Sequence, residues 1–89
     1  LRYRTQRKLM PEEELFKIEE QRTRTEIAEA LLDAAEQIES GSVQLKSQTE
    51  EQDVTLPENP RFEVELERLT DSETGEERYE LEYEIRWTK

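Results

Sequence analysis

The chain has 89 residues, enough for one small domain, and carries 24 acidic against 13 basic side chains for a formal net charge of −11. It contains no histidine and no cysteine, which excludes disulfides, thiolate chemistry, zinc fingers and histidine bases and leaves only oxygen donors for any metal. Apolar residues make up 31% of the chain and charged ones 42%, a balance close to that of disordered segments, so a fold has to come from patterning rather than from bulk hydrophobicity.

The charge is unevenly placed. Leu1 to Leu9 hold Arg2, Arg4, Arg7 and Lys8 and no acid, so the remainder carries −15 of the total of −11. The step falls at Met10-Pro11, ahead of Glu12, Glu13 and Glu14. A basic arm of this kind is able to bind nucleic acid or to dock on the protein's own acidic surface. The reading adopted is a disordered arm without a function of its own, or sequence upstream of a natural start at Met10, because one Tyr and two Leu do not offset the ordering entropy.

Phe16 and Ile18 share one side of Leu15-Phe16-Lys17-Ile18-Glu19-Glu20 while Lys17 and Glu19 share the other, which predicts a short first strand. Thr23-Arg24-Thr25-Glu26 matches a capping box and predicts a helix start. Ile27, Leu31, Ala34, Ala35 and Ile38 then form one apolar stripe, and Gly41 supplies a left-handed stop. Val43 and Leu45, followed after a polar stretch by Val54 and Leu56, alternate with polar residues and predict a hairpin. Pro57-Glu58-Asn59-Pro60 punctuates it. Phe62, Val64 and Leu66 alternate with Glu63, Glu65 and Glu67, and beyond a turn over Asp71 to Glu77 the residues Tyr79, Leu81, Tyr83, Ile85 and Trp87 alternate with Glu80, Glu82, Glu84 and Arg86. These are the strongest strand signals in the chain.

The order is therefore β-α-β-β-β-β, an α+β fold with a single helix packed on one face of a mainly antiparallel sheet. The alternating apolar residues of the strands, with Ile27, Leu31, Ala34 and Ile38 of the helix, would make the core. Such a core is thin, so stability should be marginal or depend on salt or a partner.

Met10-Pro11-Glu12-Glu13 leading to Leu15-Phe16-Lys17, the helix Thr23 to Gly41, the Ser42-Val43-Gln44-Leu45 strand and the terminal Tyr79-Glu80-Leu81-Glu82-Tyr83-Glu84-Ile85-Arg86-Trp87 together resemble the amphi-Trp domain. That is a small acidic domain known largely from halophilic archaea and named for its amphipathic, tryptophan-bearing final strand. The resemblance covers Met10 to Lys89 as a single domain. It implies a high-salt cytoplasm and Met10 as the natural start; the family has no established activity and so supplies no catalytic residues.

Pairing of the two long strands would set Glu63, Glu65 and Glu67 opposite or diagonal to Glu80, Glu82 and Glu84 on the face the helix leaves open. Like charges opposite one another destabilise a sheet. The first reading of this ladder is a solvated surface suited to molar salt, where the Debye length is about 3 Å; the same six residues are the candidate interaction face. Other sites are weak. Asp71-Ser72-Glu73-Thr74-Gly75 has a glycine where a calcium loop needs a ligand, and strands flank it. A row of exposed carboxylates offers no pocket for general acid/base work. Trp87, Tyr83 and Tyr79 share the apolar face, and packing there is expected in preference to base stacking.

The expectation is a non-enzymatic accessory or protein-interaction module without catalytic residues, cofactor or metal, cytoplasmic, engaging an unknown protein or a second copy of itself. No apolar run approaches the roughly 20 residues of a membrane span, so no membrane partner is expected. Direct nucleic-acid binding is disfavoured by the acidic face. The alternative is a nucleic-acid-related role, as an acidic decoy for DNA-binding proteins or through the arm Arg2, Arg4, Arg7 and Lys8.

Overall fold

Thr23 starts the helix. Its hydroxyl accepts from the Glu26 amide at 3.1 Å, and the Glu26 carboxylate accepts from the Thr23 amide at 2.9 Å, which satisfies two of the donors that a helix start leaves open. From this cap α1 runs over Arg24–Ser40. It ends at Gly41, whose φ of 97° lets its N–H reach the Gln37 and Ile38 carbonyls at 3.1 and 3.0 Å. A side chain at that φ would be strained, so glycine is the residue that terminates the helix here.

The computed structural model describes residues 12–89. The expected disordered arm, including Arg2, Arg4, Arg7 and Lys8, lies outside the described residues. After α1 come β1 (Ser42–Lys46), β2 (Glu51–Thr55), β3 (Arg61–Thr70) and β4 (Glu77–Arg86). The α+β class and the antiparallel pairing agree with expectation. The strands form two separate two-stranded sheets, β1 with β2 and β3 with β4, and the chain divides into two units with the boundary between Thr55 and Leu56. Pro57 and Pro60 in the connection lack amide donors and have fixed φ.

Two expectations are corrected. Leu15 to Glu20 is not a strand: residues 12–23 hold no regular structure. Three apolar residues in a charged stretch, without a tight turn to deliver a neighbouring strand, leave the ladder unmade and the backbone groups to water. The expected core is also not filled. No described residue is buried, and Ile27, Leu31, Phe62, Val64, Leu66, Tyr79, Leu81 and Tyr83 are all exposed. A two-stranded sheet is a single layer, and burial needs a second one.

In the first unit α1 meets β1. The Gln44 amide donates to Gln37 Oε1 at 2.7 Å, tying the strand to the last turn of the helix. β1 and β2 pair with Val43 opposite Val54 and Leu45 opposite Gln52, and these four are the half-buried positions of the two strands. Its loop contains no glycine. Ser47 takes that part: its hydroxyl accepts from the Thr49 and Glu50 amides at 3.2 and 2.9 Å, while its own amide donates to the Glu50 carbonyl at 2.8 Å. Lys46 and Glu51, opposite one another, approach to 3.8 Å, and Gln44 Nε2 donates to Glu51 at 2.7 Å. Among the described residues no helix is long and apolar enough to cross a membrane.

The cap carries a prediction. The Thr23 amide and hydroxyl together hold the Glu26 carboxyl below the usual glutamate value. A carboxyl that titrates lower when folded contributes stability above its unfolded pKa and loses it as pH falls through the folded one. Thr23→Ala should cost about 1 kcal/mol of helix stability. Glu26→Gln, which removes the titrating carboxyl that the Thr23 amide holds, should flatten the loss of helix signal below about pH 4.3, the ordinary glutamate value. Circular dichroism at 222 nm over pH 3 to 6, wild type against each variant, measures both; an equally steep acid transition in Glu26→Gln counts against the cap.

Candidate interaction face

β3 and β4 are ten residues each and pair antiparallel from Arg61 opposite Arg86 to Thr70 opposite Glu77. The loop between them sets this register. Asp71 Oδ1 accepts from the Glu73 and Thr74 amides at 2.8 and 3.1 Å, and these two bonds hold the Asp71 carboxyl below the usual aspartate value. The Asp71 amide donates to the Glu76 carbonyl at 2.8 Å and the Gly75 amide to the Asp71 carbonyl at 2.9 Å. Gly75 has φ of 79°, a conformation in which any other residue would be strained. The segment that superficially resembled a calcium loop is thus a hairpin turn, with its aspartate committed to backbone amides.

Counting back from this turn places Glu63 opposite Glu84, Glu65 opposite Glu82 and Glu67 opposite Glu80. All six candidate carboxylates therefore lie on one face as three rungs of like charge. Directly opposed side chains have Cβ atoms about 5 Å apart. Only the first rung is relieved among the described residues: Arg86 Nη2 lies 3.2 Å from Glu63 and Arg86 Nε 3.9 Å from Glu84. Glu63, inside this pair, is half-buried, whereas the other five are exposed. Arg61 faces Arg86 one rung further out, and Leu69 faces Arg78 near the loop. The acidic strip thus lies between a basic end and a mixed one.

The opposite face is apolar and aromatic. Phe62 faces Ile85, Val64 faces Tyr83 and Leu66 faces Leu81, with Arg68 against Tyr79 and then Thr70 against Glu77 nearest the loop. Phe62 and the diagonal Tyr83 stack with ring centroids 6.3 Å apart and planes 8° from parallel, a spacing at which aromatic pairs attract. Trp87, next in the alternation, is not buried as expected. It lies half-covered, 41% exposed, in a shallow depression with Pro57, Pro60 and Ile85.

Sequence reasoning found the ladder and missed its counter-ion. Arg86 stands among the outward-facing residues of β4, and its pairing with Glu63 becomes visible only once the register is counted outward from the turn. Among the described residues no group of three or more acidic side chains is placed to hold a metal ion.

The family model of the Amphi-Trp domain matches residues 10–89. No curated protein and no solved structure matches the chain. With nearly its whole length covered by that model, the chain belongs to the Amphi-Trp domain family.

Proposed function

We propose that the chain is a non-enzymatic protein-interaction module adapted to a high-salt cytoplasm, engaging a basic protein through the carboxylates of Glu63, Glu65, Glu67, Glu80, Glu82 and Glu84. The observation that carries this reading is the register, which sets three glutamate pairs face to face with one arginine between them. A sheet has no structural use for opposed like charges, which lower its stability. They are consistent with a solvent that screens them or a partner that neutralises them. In molar salt long-range attraction is gone, so docking depends on contact ion pairs and bidentate guanidinium–carboxylate bonds. The carboxylates stand in a row in water, without a pocket to separate an acid from a base, which favours recognition over catalysis.

The test is a titration with an arginine-rich peptide in molar KCl. Wild type should bind, and Glu65→Gln combined with Glu82→Gln should weaken binding about tenfold by removing one uncompensated rung. Unchanged binding in that variant would remove the acidic face from consideration. Affinity capture from the native cytoplasm at its own salt then separates two sources of basic partner. Proteins released by added DNA would favour a decoy for DNA-binding proteins; proteins retained in DNA would favour the docking module.

A further inference from the structure

The face of β3–β4 opposite the glutamates is the largest unpartnered apolar surface in the unit it belongs to. Phe62 is 64% exposed, Leu66 67%, Tyr79 and Leu81 59% each, and Tyr83 57%. With Val64 and Trp87 added, the exposed apolar side-chain surface comes to about 650 Å². A patch of that size, with no side chain buried among the described residues, marks an interaction site rather than ordinary surface.

We infer that this face is the interface of a homodimer, in which two β3–β4 hairpins stack face to face. Area is the first reason. Two copies of the face would remove roughly 1,300 Å² from water, inside the range of about 1,200–2,000 Å² for specific, stable interfaces. The exposed apolar residues of α1, Ile27, Leu31, Leu32 and Ile38, offer about 280 Å², less than half of what the hairpin face presents. Charge is the second reason. Each copy carries −11, and pairing through edges or through the glutamate face would bring like charges together. Stacking through the apolar face turns both acidic strips outward, with the sheets about 10 Å apart. That exceeds the Debye length of about 3 Å in molar salt.

The charged residues at the paired positions of this face, Arg68 and Glu77, both lie at the loop end of the hairpin, so the centre of the stack, around Val64, Leu66, Leu81 and Tyr83, holds no charge. This inference concerns the face opposite the glutamates and stands apart from the acidic-face reading.

Sedimentation equilibrium of the full chain in molar KCl, from micromolar to hundreds of micromolar, tests it. The expected result is a rise from one chain mass to two. Trp87 is the single tryptophan, and its quenching by acrylamide should fall over the same concentration range. A single chain mass throughout would overturn the inference, as would a dimer whose tryptophan quenching does not change. Leu81→Glu, which places a charge at the centre of the interface, should weaken association at least 100-fold with the strand signal in circular dichroism retained. A folded Leu81→Glu protein that still dimerises overturns it too. If Leu81→Glu does not fold, the wild-type mass and quenching measurements decide alone. Leu31→Glu in α1 should leave the dimer intact.

Discussion

Transfer from molar salt to tens of millimolar salt is expected to abolish the strand signal of this protein in far-ultraviolet circular dichroism. Three like-charge rungs stand in β3–β4, and each opposed pair of this kind costs on the order of 0.2–1 kcal/mol. The cost is screened when the Debye length is about 3 Å and returns when it reaches 10 Å or more, beyond the separation of the paired side chains. Little opposes it. An isolated two-stranded hairpin is marginal in water, and no described side chain is buried to add stability. The cause is separable from a general salt effect. Glu82→Lys makes the middle rung, Glu65 opposite residue 82, an attractive pair, and the variant should stay folded at several-fold lower salt. A wild-type spectrum unchanged at low salt would falsify the repulsion account; an identical salt midpoint in Glu82→Lys would move the cause elsewhere in the chain.

The second large effect is expected at Arg86. It is the cation within ion-pair distance of the ladder among the described residues, touching Glu63 at 3.2 Å and Glu84 at 3.9 Å. Arg86→Gln should cost about 0.5–1 kcal/mol, in the upper range for a partly exposed pair because one arginine serves two carboxylates. Arg86→Glu should cost about 1–2 kcal/mol, since it also sets a third negative charge beside the first rung, only partly offset by Arg61 opposite it. Both should raise the salt midpoint of folding, the reversal more than the neutralisation. Arg61 supplies the contrast. It lies opposite Arg86 in the register, so Arg61→Gln removes a like-charge neighbour and should leave the midpoint unchanged or lower it slightly. Equal shifts for Arg61→Gln and Arg86→Gln would show that net charge, and not the Arg86 contacts, sets the salt requirement.

Much of this architecture is legible locally. The helix begins at Thr23 and ends at Gly41 because a capping box and a left-handed glycine act within one turn of the chain. The long hairpin is legible because period-two alternation on both sides of an Asp-to-Gly turn admits one register that keeps the apolar residues, Leu69 apart, on one face. The acidic ladder follows from the same register. Leu15 to Glu20 misled because alternation over two apolar residues states a preference for extension and says nothing about whether a neighbour will pair. The sheet was expected whole for a similar reason: nothing in the strands' own patterns reveals whether β2 and β3 share a ladder.

The sequence by itself therefore determined the elements, their ends and the two-faced character of β3 and β4, since these depend on interactions within a turn or across one hairpin loop. Only the tertiary structure decided which strands pair into which sheet, that Arg86 serves both Glu63 and Glu84, and that the aromatic residues of β3–β4 are exposed. Those outcomes depend on contacts between residues far apart in the chain, where connection length weighs more than any local pattern.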